Sequence, residues 1–350
     1  MHAFRSSSTT LAVLFLGLTA QVAHGAAPAA ESGKQIVPYG PIARQRGVAL
    51  GLFSEDVSFS YEPLLQEVKA LGASHVALIV PIYQEHAGST RLYYHTRFSP
   101  TLEAVANATR QARRIGLEVT LFPIVRLARP RTPNEWRGTL APDNRKAWFA
   151  NYAERIGELA ALATFTGATR LVVGSELSSL DGDLDAWRPV IERVRGLFSG
   201  TLLYSANWDN YRKARVLDAV DEVGVTAYFN LRKLDEPVDV KRLTGKWRAL
   251  RAELEAWAGP RGQPLVFTEV GYRSREGSSA EPWNEAGGGK PAPEEQRDAL
   301  ESWKHAWADA PSLAGYYIWN WYGWGGPETT SYTPRGKPAT ETVREILNTP

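Results

Sequence analysis

The segments LVVGSE at residues 171–176 and LVFTE at residues 265–269 each end an apolar run with a glutamate. Apolar runs of this length are typical of parallel strands that are buried on both faces. Similar runs recur along the chain and alternate with segments of helical period, which indicates parallel strands joined by crossover helices. Eight such units favour an α/β fold with one closed barrel over an open, doubly wound sheet.

The predicted strands share a short, mostly apolar composition and span residues 47–53, 75–83, 117–125, 170–175, 201–205, 223–228, 265–269 and 314–319. Between them, apolar residues recur at helical spacing, as in Leu64, Val68 and Leu71. The sequence GVALG at residues 47–51 lacks the glycine spacing of a phosphate-binding loop, which argues against a dinucleotide site. We therefore predict a single (β/α)8 TIM barrel.

The first 25 residues have the three parts of a secretory signal. These are Arg5, an apolar run over residues 11–20 and a small-residue site at residues 23–25. We predict cleavage after Gly25, a flexible lead over residues 26–45 and one domain over residues 46–350. No later run approaches the roughly 20 apolar residues of a membrane span, so we expect a protein exported to the periplasm or the medium, without membrane attachment after cleavage.

The composition excludes several classes of function. The 350 residues contain no cysteine, so disulfides and thiolate metal sites are impossible and a large core must stabilise the exported domain. A formal net charge of +2 argues against a nucleic-acid partner. The chain has 12 tryptophans and 14 tyrosines, and such rings stack on sugars, although those on helices are expected to pack in the core. We expect a monomer.

Glu176 and Glu269 end the fourth and seventh predicted strands. All strands of such a barrel end at the face where active sites are built, so both carboxylates are predicted to lie on that face. Either glutamate alone is equally well explained as a surface charge or a salt bridge. Together they favour glycosidic-bond hydrolysis, in which a double displacement uses carboxyl groups about 5–5.5 Å apart.

Other hydrolytic chemistries find less support in the sequence. There is no Gly-x-Ser-x-Gly motif for a serine nucleophile. The histidines His75, His86, His95 and His305 lack the paired spacing of metal ligands. Two carboxylates and water supply the acid and both nucleophiles of a glycosidase, so we expect neither a metal nor an organic cofactor.

A set of motifs in this order extends over the mature chain: VPIYQ at 80–84, EWRG at 135–138, WFANY at 148–152, GSEL at 174–177, SANW at 205–208, TEVGYRS at 268–274 and TPRGKPA at 333–339. In these motifs the chain resembles glycoside hydrolase family 113, which belongs to clan A of the barrel glycosidases. The resemblance implies a retaining β-1,4-mannanase. It also implies that Glu176 is the general acid/base and that Glu269 is the nucleophile, which requires Glu176 to be protonated and Glu269 to be ionised at the start of the reaction.

The resemblance implies two supporting residues: Tyr228 as a hydrogen-bond donor to the nucleophile and Trp319 as an aromatic platform for the sugar. Further polar and aromatic residues lie at or just beyond strand ends and are candidate substrate contacts, with loop-fixing hydrogen bonds or packing as equal alternatives. They are Asn207, Trp208, Gln84, Arg126, Tyr272, Trp321 and Trp324. Arg137 is expected either to orient the substrate or to brace its loop.

Ser175 departs from the clan pattern, which has an asparagine before the acid that contacts the 2-hydroxyl of the sugar. This change weakens the prediction of mannan as the substrate, because mannose and glucose differ at that hydroxyl. Three hypotheses follow. The chain is an endo-β-1,4-mannanase acting on mannan or glucomannan, a retaining glycosidase for another exported polysaccharide or oligosaccharide, or an inactive carbohydrate-binding barrel.

Overall fold

A computed structural model describes residues 44–349, in which eight parallel strands close into a barrel in chain order. The strands are β1 (Gln45–Gly51), β2 (His75–Gln84), β3 (Glu118–Leu127), β4 (Arg170–Ser175), β5 (Thr201–Ala206), β6 (Glu222–Thr226), β7 (Leu265–Val270) and β8 (Leu313–Ile318). Closure comes from the parallel pairing of β1 with β8, in which Gln45 is in register with Gly315. The predicted TIM barrel is confirmed, and each strand begins and ends within two residues of its predicted bounds.

Helices cover the outside of the barrel: α1 (Glu62–Ala70), α2 (Leu102–Arg114), α3 (Arg145–Thr166), α4 (Leu184–Arg195), α5 (Val240–Ala258), α6 (Pro293–Trp307) and α7 (Ala339–Asn348). Between β5 and β6 the chain has only a short 3-10 helix, Arg215–Ala219, where the strand–helix pattern predicts a full helix. The residues before it form turns, and Asn210 in these turns donates to Asp181 in the β4–α4 loop. Few residues then remain before β6, so a longer helix has no room between these strands.

The core has two layers. Small and branched side chains fill the barrel itself, including Ala77, Ile79 and Val266. Large aromatic side chains fill the space between the strands and the helices, and Trp148, Trp187, Trp247, Trp303 and Trp307 are all fully buried there. The helix tryptophans are therefore packing residues, as their spacing predicts, and the barrel forms a rigid support for the loops at its mouth.

The predicted signal sequence at residues 1–25 and the lead at residues 26–45 lie outside the described residues, except for Arg44 and Gln45. Gln45 already belongs to β1, one residue before the predicted start of the domain. In residues 44–349, no helix combines the length and the apolar character needed to cross a membrane.

A buried polar network lies at the amino-terminal ends of the strands. The Gln45 amide donates to both carboxylate oxygens of Glu222 at 2.9 and 3.0 Å. The Tyr317 hydroxyl donates to the Gln45 carbonyl oxygen at 3.0 Å, and Arg170 lies 3.7 Å from Glu222. Burial raises the pKa of Glu222, while Arg170 and Gln45 oppose this rise. The carboxylate is tolerated inside the barrel because these donors solvate it.

Replacing Gln45 with leucine removes the amide that makes both hydrogen bonds to Glu222 and leaves Arg170 in place. We expect Gln45→Leu to lower the free energy of unfolding by about 2 kcal/mol, because a buried charged group loses hydrogen bonds. Urea unfolding followed by circular dichroism measures the change. The exposed Gln66 on α1 provides a control, and Gln66→Leu is expected to change stability by less than about 0.5 kcal/mol. Equal stability of the two variants would contradict this account of the network.

Candidate active site

Glu176 and Glu269 lie on the same face of the barrel, and Thr226 connects them. Thr226 is the last residue of β6, and its backbone is in register with Glu269 of β7. Its hydroxyl donates a hydrogen bond of 2.8 Å to Oε1 of Glu176, which directly follows β4. Neighbouring strands are about 4.8 Å apart, so these contacts bring the two carboxylates into one site.

The backbone of Glu176 has a left-handed conformation with φ of 52°, and within residues 44–349 it is the only non-glycine residue with positive φ. Such a conformation costs roughly 1–2 kcal/mol for a residue with a side chain. Hydrogen bonds on both sides hold it. The Glu176 amide donates to the Ser205 carbonyl at 2.8 Å, and the Leu177 amide donates to the Tyr204 hydroxyl at 3.1 Å. Strain held in this way is typical of functional positions.

The loop after Glu176 is fixed from behind by Asp181, which is 1% exposed. Its carboxylate accepts hydrogen bonds of 3.1 Å from the Asn210 amide and of 3.4 Å from the Tyr204 hydroxyl. Burial raises the pKa of Asp181 to about 7, although both hydrogen bonds oppose the rise. Tyr204 therefore links Asp181 to the backbone of Leu177, next to Glu176.

Arg137, in the loop between β3 and α3, forms an ion pair with Glu176 through Oε2. Burial lowers the pKa of the Arg137 guanidinium, but the Glu176 and Glu269 carboxylates outweigh this effect and raise the pKa above its ordinary value. Arg137 therefore remains charged. It compensates part of the negative charge that the two glutamates concentrate in a buried place.

Glu269 is 2% exposed and has one hydrogen-bonded and one free oxygen. The Tyr228 hydroxyl donates to Oε2 at 2.8 Å, which is the contact that the family resemblance implies. Oε1 is buried and has no hydrogen-bond partner among the described residues. Burial and the charge of Glu176 raise the pKa of Glu269 to about 8, although Arg137 and Tyr228 lower it. Glu269 is therefore favoured in its protonated form at neutral pH.

A cleft of about 280 Å³ opens at this end of the barrel, and neither Glu176 nor Glu269 is among the residues that line it. Its walls include Arg137, which contacts Glu176, and Trp319, which directly follows β8. The other lining residues are aromatic, charged or small polar side chains, with one aliphatic residue: Phe53, Ile124, Arg126, Arg273, Glu285, Asn320, Tyr322, Ser331, Tyr332 and Thr333. Aromatic faces combined with polar groups suit a sugar chain, which has apolar C–H faces and many hydroxyls.

The loop between β7 and α6 forms one wall and is held in place by two arginines. Arg273 donates to the carbonyls of Glu285 at 2.5 Å and Gly287 at 3.0 Å. Arg275 donates to the carbonyl of Gly288 at 2.8 Å. A side chain at Gly287 would meet the Arg275 guanidinium at 2.4 Å, so the arginine would have to shift to admit one.

The model of glycoside hydrolase family 113 matches residues 53–330. The chain belongs to glycoside hydrolase family 113. It is therefore a glycoside hydrolase, and the family implies a polysaccharide substrate. No match to the chain was found among curated proteins.

Solved structures of the family have the same fold as this chain. A family 113 β-mannanase from Alicyclobacillus acidocaldarius, in complex with ManMIm, is 26% identical with a TM-score of 0.77, covering 87% of this chain and 97% of that one. A second family 113 β-1,4-mannanase is 20% identical, also with a TM-score of 0.77, over 88% and 99% of the two chains. A β-D-glucuronidase from Dictyoglomus thermophilum is 15% identical with a TM-score of 0.59, and this chain covers 50% of it.

The predicted substrate contacts of this family 113 hydrolase separate into groups. Trp319 and Arg126 line the cleft. Asn207 lies next to Glu176, since its side-chain oxygen is 3.4 Å from the Thr226 hydroxyl that contacts Glu176, but its amide donates to Asp209 at 2.8 Å. Trp208 is half-buried and packs edge-on against Phe229, and both are outside the cleft lining.

The other predicted contacts lie away from the cleft. Gln84 is fully buried, where it accepts from Trp148 Nε1 and donates to the His86 carbonyl, both at 2.8 Å. Tyr272 is also fully buried. Strand ends predict which residues are near the mouth, but these two contact residues of the outer helices, Trp148 of α3 and Gln296 of α6, and are enclosed in protein. Trp321 is 4% exposed and donates to Glu67, while Trp324 lies on the surface.

Thr226 and several cleft residues are not among the sequence-based candidates. Thr226 ends β6, so its position was available from the strand pattern, but its contact with Glu176 depends on the register of the strands. Tyr322 and Phe53 follow β8 and β1 and carry the same signal of an aromatic residue after a strand. Arg273 and Glu285 enter the site through the path of a long loop, which sequence patterns do not specify.

The raised pKa of Glu269 predicts a gain in stability when its charge is removed. Folding raises this pKa from an ordinary value of 4.5 to about 8, so the folded state loses stability as pH rises between these values. We expect Glu269→Gln to raise the free energy of unfolding by about 1–3 kcal/mol at pH 8 and by less at pH 5. Chemical unfolding at both pH values tests this.

Glu118 at the opposite end of the barrel provides a control of opposite sign. Its pKa is lowered below the ordinary value because the effects of Arg113, Thr169 and His75 outweigh burial. Its charge therefore contributes stability that is lost as pH falls. Glu118→Gln is expected to destabilise the protein at pH 8. A Glu269→Gln variant that is destabilised in the same way would contradict the electrostatic description of the site.

Proposed function

We propose that this glycoside hydrolase is a retaining endo-β-1,4-mannanase that cleaves mannan or glucomannan by double displacement. The observation that carries the mechanism is the pair of buried carboxylates joined through Thr226, one of which keeps an unpartnered oxygen. The likeness to family 113 β-mannanases, 26% identical in one case, supports the substrate.

In the proposed reaction, Oε1 of Glu269 attacks the anomeric carbon while Glu176 gives its proton to the leaving glycosidic oxygen. The Tyr228 hydroxyl holds the other oxygen of Glu269 and so orients the attacking one. In the second step, the ionised Glu176 takes a proton from water, which hydrolyses the glycosyl ester on Glu269. The ion pair with Arg137 suits this step, because it stabilises Glu176 as a carboxylate.

The first step requires the opposite distribution of charge. In the ligand-free site, burial raises the pKa of Glu269, while Arg137 contacts Glu176 and favours its ionised form. We infer that the proton moves from Glu269 to Glu176, and that the contact of Glu176 with Arg137 loosens, before the glycosidic bond breaks. The positive charge that then develops at the anomeric centre favours a negative charge on Glu269 in the transition state.

The second candidate is a retaining hydrolase for an exported polysaccharide with acidic substituents. Arg126 and Arg273 line the cleft, and Arg126 is exposed there. Ser175 is 2% exposed, so the residue beside the acid offers only a short, buried hydroxyl where the clan has an amide. A substrate panel that includes uronic acid-containing glycans separates this candidate from the mannanase.

We further propose that the chain acts as a monomer after export to the periplasm or the medium. This proposal rests on the signal-like pattern at residues 1–25. Amino-terminal sequencing of the exported protein tests it, with a start at Ala26 expected and retention of Met1 as the contrary result.

Replacing either carboxylate is expected to abolish turnover. Glu176→Gln and Glu269→Gln should each lower kcat on mannan by about 10³-fold or more, because each removes a group that acts directly in bond cleavage. The strand-end variant Glu118→Gln at the other mouth should retain activity. Proton NMR of the first product gives the stereochemistry, for which we expect the β-anomer. Normal turnover in either active-site variant, or an inverted product, would defeat the proposal.

The pH dependence follows from the shared proton. The reactive form holds one proton on the pair, and the Glu269 pKa of about 8 predicts that this proton is lost above that value. We expect kcat/KM to fall tenfold per pH unit above about pH 8. A kcat/KM that stays constant to pH 10 would show that the pair does not titrate in this way.

A further inference from the structure

Trp324 is the most exposed large apolar side chain among residues 44–349, with 98% of its surface accessible. Nine such side chains are exposed in this part of the chain, and seven of them follow strand ends on the side of the active site. Exposed apolar surface therefore concentrates on the face that meets the substrate. An indole that stays exposed to water does not gain the free energy that burial would provide. Its complete exposure therefore favours a role in binding.

The chain presents this indole on a fixed backbone. Gly323, Gly325 and Gly326 flank it with φ values of 108°, 74° and 88°. A side chain at Gly325 would lie 2.2 Å from the Arg335 carbonyl oxygen, so only glycine fits there. The Arg335 guanidinium binds both carboxylate oxygens of Glu67 at 2.7 Å and also contacts the Gly323 carbonyl. The backbone that carries Trp324 is thus held in place, so that only the side chain has to be ordered when a ligand binds.

The segment that contains Trp324 is continuous with the active-site cleft. Tyr322 lines the cleft, and two residues later Trp324 lines a second cavity of about 380 Å³ between α1 and α7. The wall of this second cavity includes Glu67, Thr340 and Arg344. Only Gly323 separates these two lining residues along the chain.

The chemistry of this second cavity suits a neutral sugar chain. The C–H face of a pyranose ring packs against an indole, and its hydroxyls bind to the carboxylate, hydroxyl and guanidinium groups of the wall. Glu67 balances one of the two arginines, so no strong field of a single sign favours a polyanion. We propose that Trp324 forms an outer binding site for β-linked hexopyranose units of the same polysaccharide that the cleft cleaves. This inference rests on the proposed function for its substrate.

Binding without cleavage provides the first test. In the Glu269→Gln protein, we compare Trp324→Ala and Trp324→Tyr by affinity electrophoresis in gels that contain soluble mannan or glucomannan. Trp324→Ala should raise the dissociation constant about 3- to 10-fold, and Trp324→Tyr should restore most of the affinity. Phe165→Ala is the matched control, because Phe165 is 75% exposed on the last turn of α3 at the other end of the barrel. It should change nothing.

Kinetics of the active protein provide the second test. Trp324→Ala should raise KM for the polysaccharide about 3- to 10-fold and leave kcat unchanged. A mannooligosaccharide short enough to fill only the cleft should be cleaved with unchanged kcat/KM. Equal dissociation constants for Trp324→Ala and its parent, no binding of either glycan by the parent, or an equal loss on the short substrate would overturn the inference. If the protein cleaves no β-mannan, the proposed function fails, while the gels still decide the role of Trp324.

Discussion

The hydrogen bond from Thr226 to Glu176 is the contact on which the active site depends. Thr226 is in backbone register with Glu269, so one residue fixes the positions of both carboxylates. The contact exists only because the sheet closes in chain order and brings β6 between the two glutamates. Tyr228, two residues further along the chain, then donates to Glu269. Geometry that is set by strands rather than by loops is the more rigid kind, as a double displacement requires.

Two buried carboxylates are costly, and the surrounding structure reduces this cost without removing it. Arg137 supplies a positive charge, and the hydroxyls of Thr226 and Tyr228 supply donors, but one oxygen of Glu269 has no partner among the described residues. The left-handed backbone of Glu176 adds strain. The protein tolerates the buried carboxylates and the strained backbone because the packed barrel and its layer of buried tryptophans provide stability elsewhere. In the proposed reaction, the features that make the site unfavourable are the same ones that make it reactive.

The sequence predicts the barrel well because buried parallel strands leave a simple signal, an apolar run of about six residues. It also predicts that Glu176 and Glu269 share one face, since both follow from where the strands end. The sequence does not predict which of the residues near the strand ends are buried in the protein. Gln84 ends β2 and Tyr272 lies two residues beyond β7, yet both are buried, Gln84 against Trp148 of α3 and Tyr272 beside Gln296 of α6. The sequence does not single out Thr226, because a threonine in a strand does not indicate a contact with Glu176 until the register of the strands is known.

Trapping of the glycosyl-enzyme tests the central claim most directly. A 2-deoxy-2-fluoro-mannoside with a reactive leaving group forms the ester quickly and slows its hydrolysis, so the labelled protein can be digested and analysed by mass spectrometry. The account predicts one label per chain, on Glu269, with no label in a protein that carries glutamine there. A label on Glu176 or on any other residue would contradict the assignment of the nucleophile. Turnover of the fluoro sugar with inversion and without a covalent intermediate would contradict the mechanism itself.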